Sequence, residues 1–259
     1  MRARRGLRAV TDTLKGKVAI ITGSARNIGR SIAHALSSHG ASVVIHGQSD
    51  RGAAESVREE ITHKDGNAVV HLADLAQEQA CQSLVDAAVS AFGRIDILVC
   101  NAAIRRQKPF LETSFAEWRE VLTVDLDSVF LMTRAAAPHI VAAGGGSMVC
   151  IGGSPSHMGT RGRSHVCAAK MGVVGLARVL ANELGEYGIN VNVVAPGHVD
   201  TARGESAGKS STVTSERPMA RKARPEEIAA MVCHLCLPVG RCVTGQTIHV
   251  NGGMLFAGA

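Results

Sequence analysis

Aromatic side chains are scarce in this chain. One tryptophan, one tyrosine and five phenylalanines stand among 259 residues, so the 46% hydrophobic content is carried mainly by Val, Ile, Leu and Ala. That palette suits buried parallel strands packed against Ala-rich helices. No apolar run reads as long enough to span a bilayer, so no membrane association is expected. The formal net charge is +6, but four arginines fall in the leader "MRARRGLRAVTDT" against Asp12 alone. The remainder is mildly basic and has no clustered basic element, so no nucleic-acid partner is expected. The leader lacks an apolar secretory segment, and residues 1–13 read as a basic, disordered tail. Seven cysteines, an odd number scattered through apolar segments, point to reduced, buried thiols in a cytoplasmic protein. Cys233 and Cys236 form a C-x-x-C within a helical pattern and no second pair follows. No metal site is expected there.

Short β-type runs alternate with helical ones along the rest of the chain. Strands are expected at 17–22, 42–46, 68–72, 96–100, 147–151, 190–195 and 247–250, and helices at 28–40, 53–64, 78–93, 115–144, 168–188 and 225–238. Gly40 and Gly93 fall where helix C-caps are expected. Ser114 with Glu117 makes a capping box, and Pro225 followed by two glutamates opens the last helix. Strands that are apolar almost throughout and separated by helices imply an α/β parallel sheet covered on both faces. Residues 14–259 read as one domain. The polar run 202–218, "ARGESAGKSSTVTSERP", is expected to form a flap over a site or a surface loop.

In "AIITGSARNIGRSIA" (19–33) a glycine-rich turn follows the first strand and opens a helix. Gly23 allows the tight turn and Gly29 a close strand–helix approach, while the amides at the helix start face an anion. The spacing T-G-x-x-x-x-I-G resembles the short-chain dehydrogenase/reductase family, and the match runs from about residue 14 to the end. "HLADLA" (71–76) resembles the family's adenine-side Asp, here Asp74 with Leu75. "LVCNAA" (98–103) resembles its N-N-A-G strand end, keeping Asn101 and Ala102 but with Cys100 and Ala103 at the outer positions. "NVVAPGHVDT" (192–201) resembles its P-G-x-x-x-T and brings in Pro196, Gly197, Val199 and Thr201. The resemblance implies a single Rossmann-type doubly wound domain with a sheet of about seven parallel strands and helices on both faces. It also implies NAD(P)(H) held by these residues and by Gly23, Ser24, Arg26, Asn27, Ile28, Gly29 and Lys170. Asn27 stands where the family has glycine, and Asn is the non-glycine residue that best tolerates a left-handed backbone.

Cofactor choice depends on the end of the second strand, where NAD-binding members carry a carboxylate. Here that position is Gly47, followed by Gln48 and Ser49. Arg26 resembles the basic residue that meets the 2′-phosphate in NADP-preferring members, with Arg51 a second candidate. NADP(H) is therefore expected over NAD(H).

The resemblance further implies a tetrad of Asn, Ser, Tyr and Lys, in which the tyrosine phenol exchanges a proton as hydride moves. Lys170 keeps the lysine position. Counting back, the tyrosine position holds Val166, the serine position Gly153 and the asparagine position Asp125. A one-residue shift brings Ser154 into play but still supplies no tyrosine. The only tyrosine, Tyr187, precedes the sixth strand and so lies at the end of the sheet opposite a ligand crevice. His157, His165 and His198 are substitute acid/base candidates because imidazole titrates near neutrality; Cys167 is a weaker nucleophile candidate. Asp125 is expected either to pair directly with Lys170 or to satisfy itself with a backbone amide or solvent.

Three functions remain open: an NADP(H)-dependent oxidoreductase on a small alcohol or carbonyl with an unusual proton donor, a cofactor-binding relative acting as sensor or partner subunit, and a lyase or isomerase on the same fold. The family implies a homo-oligomer, tetramer or dimer, through the helices at 117–143 and 164–186, where the small residues of "AAKMGVVGLARVLA" permit close packing.

Overall fold

The computed structural model describes residues 13–202 and 218–256. Residues 1–12 of the leader and 203–217 of the expected flap lie outside the described residues. Seven parallel strands form one sheet in the order β3-β2-β1-β4-β5-β6-β7. They are β1 (Val18–Ile21), β2 (Ser42–Gly47), β3 (Ala68–Leu72), β4 (Ile97–Cys100), β5 (Gly146–Ile151), β6 (Ile189–Pro196) and β7 (Thr247–Val250). The described helices are α1 (Asn27–Ser38), α2 (Arg51–Thr62), α3 (Glu78–Phe92), α4 (Phe115–Leu122), α5 (Ser128–Ala142), α6 (Ser154–Met158), α7 (Ser164–Leu184) and α8 (Pro225–Cys236).

Strands β1 to β6 divide their side chains between two cores, because successive residues point to opposite faces. Ala19 and Ile21 of β1 join Ile97 and Val99 of β4 under α1, α2 and α8. Ile20, Leu98 and Met148 face the other way, under α3, α5 and α7. Almost nothing aromatic enters either core, as the composition requires. α7 and the turn after it, Ser164–Tyr187, do reach membrane-spanning length and apolarity. This corrects the reading of the apolar runs: the face of α7 carrying Val173, Val174 and Ala177 is packed on the sheet.

Other expectations shift in detail. The helix expected from 168 begins at Ser164, and the one expected over 115–144 is interrupted by a π-helical turn at Thr123–Asp127. His157 lies in the short α6 rather than in a loop. The Ser114–Glu117 capping box is formed, and Gly93 closes α3 in the left-handed region at φ +75°. Five cysteines are buried, Cys167 is half-buried and Cys242 is exposed. Cys233 and Cys236 lie on the buried side of α8.

The chain begins at the centre of the sheet, runs to one edge, then returns to build outward from β4. The loops after β1 and β4 therefore diverge at their carboxyl ends, and a crevice opens between them. At the opposite end, Asp96 fastens the starts of β1 and β4. It accepts from Lys17 Nζ at 2.8 Å, from Arg94 Nε at 2.8 Å and from the Val18 N–H at 3.0 Å. Burial alone would raise its carboxyl, but Arg94, Lys17 and the Val18 amide together hold it below the ordinary value of 3.8. Its stabilisation is thus present above pH 3.8 and lost as pH falls through the lower folded value. Asp96→Asn should cost about 2–3 kcal/mol in urea unfolding at neutral pH, since it unpairs two cations at a buried acceptor.

Candidate active site

The cradle after β1 is built by close approach. A Cβ on Gly29 would lie 2.2 Å from the Gly23 carbonyl oxygen and 2.6 Å from Asn101 Nδ2, so only glycine lets α1 start against the sheet here. Gly23 takes φ +65° and Asn27 φ +51°, the left-handed conformation expected of each. Arg26 occupies the N-cap without a side-chain cap, and no acidic residue stands in the first turn of α1. The positive end of that twelve-residue helix is open to an anion.

Neighbouring strands lock this loop. Thr22 Oγ1 accepts the N–H groups of Asn101 and Ala102, each at 2.9 Å. Asn101 Nδ2 donates to the Thr22 and Gly23 carbonyls at 2.9 and 3.0 Å. Asn101 thus shapes the cradle with its side chain. The Ser24 side chain turns inward, donates to the Ile21 carbonyl and accepts the His46 N–H, so only its backbone is left to face the cleft. Asn27 exchanges two hydrogen bonds with the backbone of Ala202, at 3.1 and 3.2 Å. The sequence reading missed His46, the last side chain of β2. The Gly23 N–H donates to its Nδ1 at 2.9 Å, which puts the proton on Nε2 facing the Ala73 carbonyl at 3.0 Å. A histidine ending an otherwise aliphatic strand was the available signal.

The resulting cleft holds about 540 Å³ and brings together most of the expected cofactor residues: Gly23, Arg26, Asn27, Ile28, Gly29, Asn101, Ala102, Lys170, Pro196, Gly197, Val199 and Thr201. Gln48, Ser49, Asp74 and Leu75 do not line it. They stand beyond β2 and β3, with Leu75 buried in the core and the Asp74 carboxylate capping the Ala76 N–H. Among the described residues, Thr201 Oγ1 is buried without a hydrogen-bond partner, and a bound ligand would supply one. Close-packed glycines, open helix amides and an unpartnered hydroxyl together fit a dinucleotide. Arg26 is ion-paired with Asp50, the N-cap of α2, next to the bare Gly47.

At the base, Val166 and Lys170 line one wall of the cleft, a helical turn apart on α7. Lys170 Nζ is 3.7 Å from Asp125 Oδ2. The π-helical turn carries Asp125 to this point, where it is fully buried and its Oδ1 accepts the Ile104 N–H at 2.8 Å. Burial pushes the Asp125 carboxyl up, and the Lys170 ammonium and Ile104 amide only partly oppose that. One residue on, Leu126 packs over Gly172, where a Cβ would lie 2.9 Å from Leu126 Cδ2. α7 can approach this turn because residue 172 has no side chain.

Of the three histidine candidates, only His198 lines the cleft. His165 is corrected: it is buried behind Val166, with Nδ1 accepting the Val166 N–H, and burial lowers its pKa despite the nearby Asp125 and Glu117. His157 is corrected too, since its ring packs edge-on against His249 at 4.7 Å outside the cleft. Ser154 is no substitute for a catalytic serine. It is buried, 2.9 Å from both the Ala195 carbonyl and His249 Nδ1. Gly153 faces the cleft, and a Cβ there would meet nothing closer than 3.7 Å. Tyr187 is half-exposed just before β6, at the opposite end of the sheet.

This arrangement defines the class: a Rossmann-type doubly wound α/β protein with its ligand cleft at the switch between β1 and β4. Comparison with known proteins then specifies it. A family model described as enoyl-(acyl carrier protein) reductase matches residues 23–255. The chain is 34% identical over 244 residues to a 3-oxoacyl-acyl-carrier-protein reductase from Synechocystis sp., covering 94% of this chain and 98% of that protein. The corresponding Escherichia coli reductase is 33% identical over 242 residues, covering 93% and 98%. Among solved structures, a dehydrogenase/reductase from Sinorhizobium meliloti 1021 superposes with a TM-score of 0.86 at 33% identity, over 94% of this chain and 97% of that one. A Serratia marcescens short-chain dehydrogenase/reductase gives 0.86 at 33%, over 93% and 98%. The chain belongs to the short-chain dehydrogenase/reductase family of oxidoreductases.

His46 makes the cradle sensitive to acid. Burial lowers its pKa from 6.5, and the Gly23 N–H already occupies Nδ1, where a second ring proton would sit. The unfolded chain binds that proton first, so this contribution is full above pH 6.5 and is lost as pH falls toward the lowered folded value. The urea midpoint should drop between about pH 7 and pH 5, and His46→Asn, which keeps an acceptor but does not titrate, should flatten part of that drop.

Proposed function

We propose that this protein is an NADP(H)-preferring oxidoreductase acting on a small alcohol or carbonyl compound, with His198 as the side chain that carries the proton. The observation supporting it most is the pairing of Lys170 with Asp125 at the base of a cleft that also holds the glycine turn and Thr201. A nicotinamide dinucleotide bound there supplies the hydride. The open amides of α1 suit its pyrophosphate, and the Lys170 side chain, 3.7 Å from Asp125, suits a ribose hydroxyl. Gly47 itself presents no carboxylate to repel a 2′-phosphate, and Arg26 is ion-paired with Asp50 three residues further on. The carbonyl class is suggested by the relatives' names, which describe 3-oxoacyl reductases. The chain's place in the cytoplasm and its assembly as a dimer or tetramer are part of the same reading. Phe115, Phe130, Met171 and Val179 are exposed on α4, α5 and α7, the helices through which such an assembly would form.

A second reading, cofactor binding without turnover, is favoured by Val166 and Gly153, which put neither hydroxyl of the family tetrad in the cleft.

Titration of NADPH and NADH should give tighter binding of NADPH. Arg26→Ala should weaken NADPH about tenfold or more and leave NADH nearly unchanged. Equal affinities would remove the preference. A panel of ketones and alcohols then separates the two readings. Turnover that falls about a hundredfold in His198→Gln supports the first, and tight cofactor binding without turnover supports the second. Val166→Tyr with Gly153→Ser should raise carbonyl reduction at least tenfold, since the serine has room.

A further inference from the structure

Arg26 reaches from the glycine turn to the head of the next helix. It stands at the N-cap of α1 and lines the cleft, and its guanidinium pairs with the Asp50 carboxylate. That carboxylate is divided between two tasks. Oδ1 accepts the Ala53 N–H at 2.9 Å and caps α2, while Oδ2 accepts from a single guanidinium nitrogen of Arg26. The Ala53 amide and then Arg26 hold the Asp50 carboxyl below its ordinary value of 3.8, so it is ionised at neutral pH. The Arg26 and Asp50 side chains are 66% and 48% exposed, and an ion pair so open to water is weak enough to be displaced. The bare end of β2 shares this corner. A Cβ on Gly47 would lie 3.6 Å from the Asp50 carbonyl oxygen and 3.7 Å from Ala25 Cβ. The neighbouring Arg51 pairs with Glu55 at 3.4 Å.

We propose that Asp50 is a specificity-determining residue, a resident counter-charge on Arg26 that a 2′-phosphate has to displace, and that it thereby limits how strongly the protein prefers NADPH over NADH. In the cofactor reading on which this rests, Arg26 meets the 2′-phosphate. The exchange favours the phosphate for two reasons. A phosphate monoester carries close to two negative charges at neutral pH, and it takes a guanidinium with paired hydrogen bonds. Asp50 holds the same group with one oxygen, because the other is committed to Ala53. NADH brings no such group and leaves the pair closed. The affinity that the phosphate gains from Arg26 is therefore reduced by the pair it breaks, and the reduction falls on NADPH alone.

An asparagine side chain keeps an oxygen for the Ala53 N–H and removes the charge. Calorimetry on the full chain would follow NADPH and NADH together with two fragments, adenosine 2′,5′-bisphosphate and AMP. Asp50→Asn should tighten NADPH and the bisphosphate about fivefold and leave NADH and AMP within about twofold. Asp50→Ser, a shorter uncharged cap, should do the same. In an Arg26→Ala background the further change Asp50→Asn should move NADPH by less than about twofold, because Asp50 acts through that guanidinium. An Asp50→Asn variant that binds NADPH no more tightly than the parent chain overturns the inference. So does a gain that survives Arg26→Ala, or an equal gain for NADH. Equal affinities of the parent chain for NADPH and NADH overturn the cofactor preference alone, since the effect of Asp50→Asn is still read against them. Absence of NADPH binding in every variant overturns both.

Discussion

The site depends on one contact that a single methyl group would forbid. Gly29 brings the start of α1 so close to Gly23 and Asn101 that no side chain fits between them. From that approach follow the open amides at the helix start, the grip of Asn101 on the Thr22 and Gly23 carbonyls and the position of the cleft itself. The two hydrophobic cores set the direction of the strands, and the glycine contact sets how near the first helix comes to the sheet end. Burial supplies the bulk of the stabilisation; this constraint gives it a shape that can hold an anion.

Much of this was legible because it is local. The alternation of strands and helices, the left-handed Asn27, the capping box at Ser114 and the spacing from Val166 to Lys170 each follow from a few neighbouring residues. Features set by tertiary contact were not legible. The π-helical turn at 123–127 has no breaker in "TVDLD", and it is found where Asp125 meets Lys170 and Leu126 meets Gly172. His46 is one polar residue in "SVVIH", and its role exists only because the loop after β1 returns over it. Histidines at 157 and 165 looked equivalent to 198 in sequence, but helix packing turned one toward His249 and buried the other.

The exchange of an asparagine for Asp125 relative to the family pattern has a specific electrostatic effect. A neutral amide at that position would leave the Lys170 ammonium to seek its counter-charge elsewhere, whereas the buried carboxylate sits 3.7 Å away and answers it within the protein. The pairing fixes where the lysine side chain stands in the cleft wall.

Asn27 gives the cradle a property that glycine could not. Both ends of its amide are committed to the backbone of Ala202, while its own backbone is part of the turn that faces the anion. The floor of the cleft and the edge beside Thr201 are therefore one mechanical unit, joined across 175 residues of chain. One asparagine amide thus sets the turn and the rim at a fixed spacing from each other.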